Sequence, residues 1–143
     1  MIKTFRGKLA SSDIQKIRLG TNDGLIGYKI NKFQLFPPTP GSTSYENVVQ
    51  VFTEEPDSAS ATVTFDTPLL LASAYMEGNA SNQYNDMINV VFDHVKFNQD
   101  IYVTNVDVDG DTEAVNFYLE LEQVKLTKDE ATVATLKDMR GRE

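Results

Sequence analysis

Seven consecutive residues, Asp107, Val108, Asp109, Gly110, Asp111, Thr112 and Glu113, hold the densest group of carboxylates in this chain. Clustered carboxylate oxygens are what a hard cation such as calcium takes. The loop of an EF-hand needs glycine at its sixth position and glutamate at its twelfth. Counted from Asp107, those positions hold Thr112 and Tyr118, so the match fails. The stretch reads first as a solvated Asp-Gly hairpin turn between strands at 101–108 and 115–121. Asp107, Asp109 and Asp111 stay as the candidate ligands for a divalent cation. His94 is the single histidine, which excludes metal sites built on two imidazoles. A Ser-His-Asp arrangement would have to use it, yet it follows Phe92-Asp93 at a strand end, where a histidine is ordinarily a polar turn residue. Glu120 and Glu122 sit about 7 Å apart on one strand face by strand rise, a spacing near that of glycosidase carboxylates. That face reads as solvent-exposed. The chain is expected to be non-enzymatic and to need no cofactor.

Other binding chemistries leave fewer traces. Gly20, Gly24 and Gly27 bracket a hairpin and lead to no helix, so they make no phosphate loop. Sandwich modules that bind sugars stack them on aromatic rings. Tryptophan is absent, but Tyr45, Tyr75, Tyr84, Tyr102 and Tyr118 offer candidates. Most belong in or beside a core, and Tyr45 and Tyr84, next to polar loops, are the pair to watch.

The elements that must carry these residues are strands. Val115, Phe117, Leu119 and Leu121 alternate with Asn116, Tyr118, Glu120 and Glu122, giving an apolar inner face and an acidic outer one. Ala61-Val63-Phe65 and Ile88-Val90-Phe92 repeat the alternation; Ile101, Val103 and Ile17, Leu19 do so more briefly. Residues 48–52, Val-Val-Gln-Val-Phe, read as a strand buried on both sides. Within 25–36 the apolar phase changes between Tyr28/Ile30 and Phe33/Leu35, the mark of a β-bulge or a corner that lets one strand serve two sheets. Thr21-Asn22-Asp23-Gly24 and Asp109-Gly110 predict tight hairpins. The proline-rich 37–44 predicts an exposed loop, and 54–58 and 78–86 are further polar loops. The fold class is all-β: an antiparallel sandwich or jelly-roll-like domain over residues 1–126, followed by a short helix or arm over 127–143. Thr127-Lys128-Asp129-Glu130 is a capping box, and Val133, Leu136 and Met139 follow at helical spacing.

Charge is segregated along the 143 residues. Residues 1–32 carry seven bases against two acids, whereas 33–124 carry fifteen acids and one base, Lys96. The overall charge of −8 argues against nonspecific nucleic-acid binding. No run approaches the ~20 apolar residues of a membrane span, and no secretion signal is evident; synthesis in the cytoplasm as a soluble protein is the expectation. With no cysteine, disulfides and thiolate metal sites are excluded. A basic start and an acidic body favour contact between unlike surfaces of separate molecules, or else pairing of basic and acidic strands within one subunit. Lys3, Arg6, Lys8, Lys16 and Arg18 are the candidate interaction residues at one end, and Val133, Leu136 and Met139 at the other.

Three stretches taken together resemble a known class. They are Ile2-Lys3-Thr4-Phe5-Arg6-Gly7-Lys8-Leu9 with Gly27-Tyr28-Lys29-Ile30, then 97–103 (Phe-Asn-Gln-Asp-Ile-Tyr-Val), then 117–122 running into 131–140. The combination is similar to small, poorly characterised virion structural proteins of marine bacteriophages. The resemblance contains no motif of known chemical role, so it transfers no site residues. It implies a virion structural protein of the head; together with the charge segregation and the missing active site it leads to a capsid decoration or minor capsid protein that binds the major capsid protein or other virion proteins as a homo-oligomer on the particle. The runner-up is a receptor- or glycan-binding module of a virion tail or fibre, suggested by the long loops 37–44 and 78–86.

Overall fold

The computed structural model describes residues 1–20, 25–40, 44–79, 82–109 and 112–141, with side chains described for all of these except 79, 82–85 and 136–141. Eight strands and one helix follow in the order β1 (Ile2–Leu9), β2 (Ile14–Ile17), β3 (Ile26–Phe36), β4 (Tyr45–Phe52), β5 (Leu70–Asn79), β6 (Asn82–Val91), β7 (Ile101–Asp107), β8 (Val115–Lys125) and α1 (Lys128–Gly141). They form a three-stranded sheet, β1-β8-β3, packed on a five-stranded sheet, β2-β7-β4-β5-β6. All strand pairs are antiparallel. The predicted all-β sandwich is the fold.

β8 carries the predicted alternation in full. Val115, Phe117, Leu119 and Leu121 are buried and meet Val49, Val51, Ile101 and Val103 of the opposite sheet in one core. β3 shifts register against β8 between Ile30 and Lys32, so the phase change is a bulge at Asn31. It lets Tyr28, Ile30, Phe33 and Leu35 all face inward. β3 belongs to one sheet only, so the second-sheet role does not hold; its first half is instead bridged to Phe97.

β4 is buried on both faces, as predicted. Its outer cover is the segment 53–69, whose carbonyls at Ser60 and Thr62 accept bonds from the Gln50 amide, both at 3.1 Å. Ala61-Val63-Phe65 is not a strand: the Ser60 and Thr62 carbonyls are held by the Gln50 side chain, and Val63 and Phe65 are exposed. β6 corrects a second reading. Register places Ile88 opposite Tyr75 and Val90 opposite Ser73, on the outer face, whereas Val91 lies with Ala72 on the core side.

The predicted hairpins do not form. β2 and β3 lie in different sheets, as do β7 and β8, so neither pair is a hairpin. Residues 21–24, 110 and 111 themselves fall outside the described residues. The C-terminal helix forms behind its predicted cap. Glu130 N donates to Thr127 Oγ1 at 3.1 Å, and Thr127 N donates to Glu130 Oε1 at 3.2 Å. Its contact face differs from the predicted one. Ala131 is buried, and Thr135 Oγ1 accepts from Asn98 Nδ2 at 3.2 Å, so α1 rests on residues 95–99 of its own chain. Val133 is 53% exposed, and the side chains of Leu136 and Met139 lie outside the described residues.

Candidate docking surface

The outer face of the three-stranded sheet is built in cross-strand rows. Ile2, Glu122 and Lys29 share one row, and Thr4, Glu120 and Lys32 the next. Then come Arg6, Tyr118 and Gln34, and finally Lys8, Asn116 and Phe36. Acidic β8 therefore runs between two basic strands. In the first row Lys29 Nζ pairs with Glu122 at 3.1 Å, and in the next Lys32 stands opposite Glu120 in register. In the last rows Arg6 and Lys8 face a phenol and an amide, and neither pairs with a described carboxylate.

Beside them opens a depression of about 710 Å³ lined by Arg6, Gln34, Phe36, Asn116, Tyr118 and Met87 of β6. Phe36 is 63% exposed. Apolar walls with a few convergent polar groups are the usual makeup of a binding cleft. Here the convergent groups are two side-chain amides and a guanidinium, suited to an acidic, partly apolar partner. Gln34, Phe36, Asn116 and Met87 carry no motif. The bulge sets the outward phase of β3 and so brings Gln34 and Phe36 to this site; Asn116 and Met87 reach it from β8 and β6.

Two of the other basic candidates are engaged within the chain. Lys3 turns inward, where its Nζ donates to the Tyr28 hydroxyl at 3.3 Å and lies 5.5 Å from that ring's centre. Lys16 pairs with Asp100 at 3.4 Å and lies 6.0 Å from the Tyr102 ring. Arg18 is exposed. The five predicted interaction bases thus divide: Arg6, Lys8 and Arg18 point to solvent, while Lys3 and Lys16 are held by their own subunit.

Asp100 explains part of that division. Burial pushes its carboxyl pKa up, but N–H bonds from Leu19 at 2.7 Å and Gly20 at 2.9 Å, with Lys16 alongside, outweigh burial and hold it below the usual carboxylate value. A depressed folded-state pKa gives stability that is present above the ordinary Asp range and lost as pH falls through the folded value. Thermal melts from about pH 5 to about pH 2 should show a smaller acid-dependent loss of Tm for Asp100→Asn than for the parent. Equal pH slopes would remove this assignment.

Asp107, at the head of the acidic run, serves the fold. Asp107 is buried; its Oδ1 accepts from Glu46 N and Asp109 N, both at 3.1 Å, and its Oδ2 from Glu113 N at 2.7 Å. A carboxylate aimed at three backbone donors organises the sheet-to-sheet crossing. Among the described residues no three acidic or histidine side chains are grouped to hold a metal ion; Asp111 lies outside them. His94 is exposed, 3.7 Å from Asp93. Tyr45 is buried, which raises its pKa, instead of being offered to a ligand. Tyr75 lies between Glu46 and Glu77, 2.8 Å from each; burial and then both carboxylates raise its pKa. Tyr84 falls among the undescribed side chains.

No known protein-family model matches the chain, and no curated protein matches it.

Proposed function

We propose that this chain is a non-enzymatic structural protein of a phage virion, a capsid decoration or minor capsid protein seated on the particle surface. The observation that carries the reading is the pair Arg6 and Lys8, unneutralised beside an open, largely apolar depression. Arginine and aromatic residues around such a depression are the composition of interface hot spots. The occupant is an acidic, partly apolar surface of the major capsid protein or another virion protein. Binding of nucleic acid by a chain of charge −8 is disfavoured. No described helix is long and apolar enough to cross a membrane.

Mass spectrometry of purified, salt-washed particles tests this. The chain should be recovered at a fixed ratio to the capsid protein, and its absence would overturn the proposal. The receptor- or glycan-binding reading draws on the same depression, where Tyr118 and Phe36 offer ring surface. A glycan array decides it: retained saccharide binding that Phe36→Ala and Tyr118→Ala abolish would favour the module over the decoration protein.

A further inference from the structure

The connection from β4 to β5 takes 17 residues, 53–69, and contains no strand or helix. Ordered loops of more than about 12–15 residues are uncommon in a compact domain, and where they occur they are ordinarily lids or binding loops. This one lies as a strap across the outer face of β4. Its base is closed by Thr53 N donating to Leu69 O at 2.9 Å. Its middle is pinned by Gln50, whose Nε2 donates to Ser60 O and Thr62 O, both at 3.1 Å. Phe65 stands nearly perpendicular to Phe92, with ring centres 5.3 Å apart. None of the side chains of 53–69 is buried, so little apolar surface holds the strap down.

Beneath it the polar match is incomplete. Register sets Thr104 of β7 and Ser73 of β5 directly opposite Gln50, one on each side, so the three share a face. All three are buried. Gln50 finds two carbonyls, but among the described residues neither Ser73 Oγ nor Thr104 Oγ1 has a hydrogen-bond partner. A buried hydroxyl without a partner carries a desolvation penalty that access to water relieves. Closing the strap therefore sets two desolvated hydroxyls against two hydrogen bonds and one ring contact. Segments held by so few buried contacts open without the rest of the domain. We infer that 53–69 is a lid pinned by Gln50, which opens as a unit while both sheets stay folded. Opening uncovers a row of hydroxyl, carboxamide and hydroxyl across β7, β4 and β5, neutral hydrogen-bonding groups spaced by about 4.8 Å. The lid belongs to the five-stranded sheet and does not depend on the docking surface around Arg6 and Lys8.

Thiol labelling of the full chain tests the lid, because the chain has no cysteine of its own. Ser73→Cys places one thiol beneath the strap. Val103→Cys places one beside Thr104 but in the core between the sheets. With dithionitrobenzoate at neutral pH and no denaturant, Ser73→Cys should react about a hundredfold faster or more than Val103→Cys, whose thiol is reached only when the sheets part. In the Ser73→Cys background, Gln50→Leu should speed the reaction about tenfold by removing both pinning bonds. Phe65→Ala is the milder second variant, at a side chain 55% exposed, and should speed it while leaving the urea midpoint in place. Thr104→Val, which replaces an unpartnered hydroxyl by a methyl group, should slow it. Global unfolding in urea is measured for each variant, so that a general loss of stability is not mistaken for lid opening. Equal labelling of Ser73→Cys and Val103→Cys overturns the inference, since 53–69 would then open only with the whole domain. So does a Ser73→Cys rate that neither Gln50→Leu nor Phe65→Ala raises. Neither result bears on recovery of the chain from particles.

Discussion

Replacing Asn105 with leucine is expected to cost about 3 kcal/mol of stability, although the two side chains are close in size. Asn105 is fully buried. Its Oδ1 accepts from Asn47 Nδ2 at 3.0 Å, and its Nδ2 donates to the carbonyls of Leu9 at 2.9 Å and Glu113 at 3.5 Å. Asn47 donates in turn to Glu113 O at 3.0 Å. Both asparagines stand on the five-stranded sheet. Leu9 ends β1, and Glu113 leads into β8, so the network ties the two sheets together where the chain crosses. Leucine removes the side-chain donor to the Leu9 carbonyl and one of the two bonds made by the Asn47 amide, and each buried group left unsatisfied costs about 1–3 kcal/mol. Urea unfolding with an unchanged m-value measures it. Asn116→Leu, on the outer face of β8, should stay within about 0.5 kcal/mol of the parent. Comparable effects at the two positions would contradict the network's role.

Phe33→Ala is expected to cost about 3–5 kcal/mol, the range for removing a fully buried phenylalanine. Phe33 has no exposed surface and sits just after the bulge, paired with Leu119. Its neighbour Gln34 points outward into the depression. Without the bulge the two would exchange faces, because side chains alternate along a strand. Gln34→Ala should therefore leave stability within about 0.5 kcal/mol. A large loss at Gln34 with a small one at Phe33 would reverse the assigned phase.

These two positions show where the sequence could be read and where it could not. The bulge was legible because Tyr28/Ile30 and Phe33/Leu35 break a period of two inside one strand-like run. The β8 core and the Thr127 capping box were legible for the same local reason. Asn47 and Asn105 were passed over because polar residues are ordinarily placed outward. Their signal was present in phase: Asn47 falls in step with Tyr45, Val49 and Val51, and Asn105 with Ile101 and Val103. A polar residue on an apolar beat marks a buried network. The links from β2 to β3 and from β7 to β8 were read as hairpins because turn chemistry fixes a local reversal, not which sheet the next strand joins. The depression was invisible for a related reason, since Arg6, Gln34, Tyr118 and Met87 come from four strands and two sheets. The basic start of the chain is compatible both with docking on another molecule and with pairing of basic and acidic strands inside one subunit. Topology sets Lys29 and Lys32 opposite Glu122 and Glu120, so part of the segregation along the chain is cancelled inside one sheet.

What the sheet leaves uncancelled, Arg6 and Lys8, carries the functional account. The most direct test of that proposal is co-sedimentation of the purified protein with phage particles from which it has been removed. Binding should saturate at 0.1 M salt and fall away towards 1 M, as the Debye length shrinks from about 10 Å to about 3 Å. The variant with both Arg6→Glu and Lys8→Glu should fold normally and fail to bind. Particles that take up no protein, or that take up parent and variant alike at every salt concentration, would contradict the account.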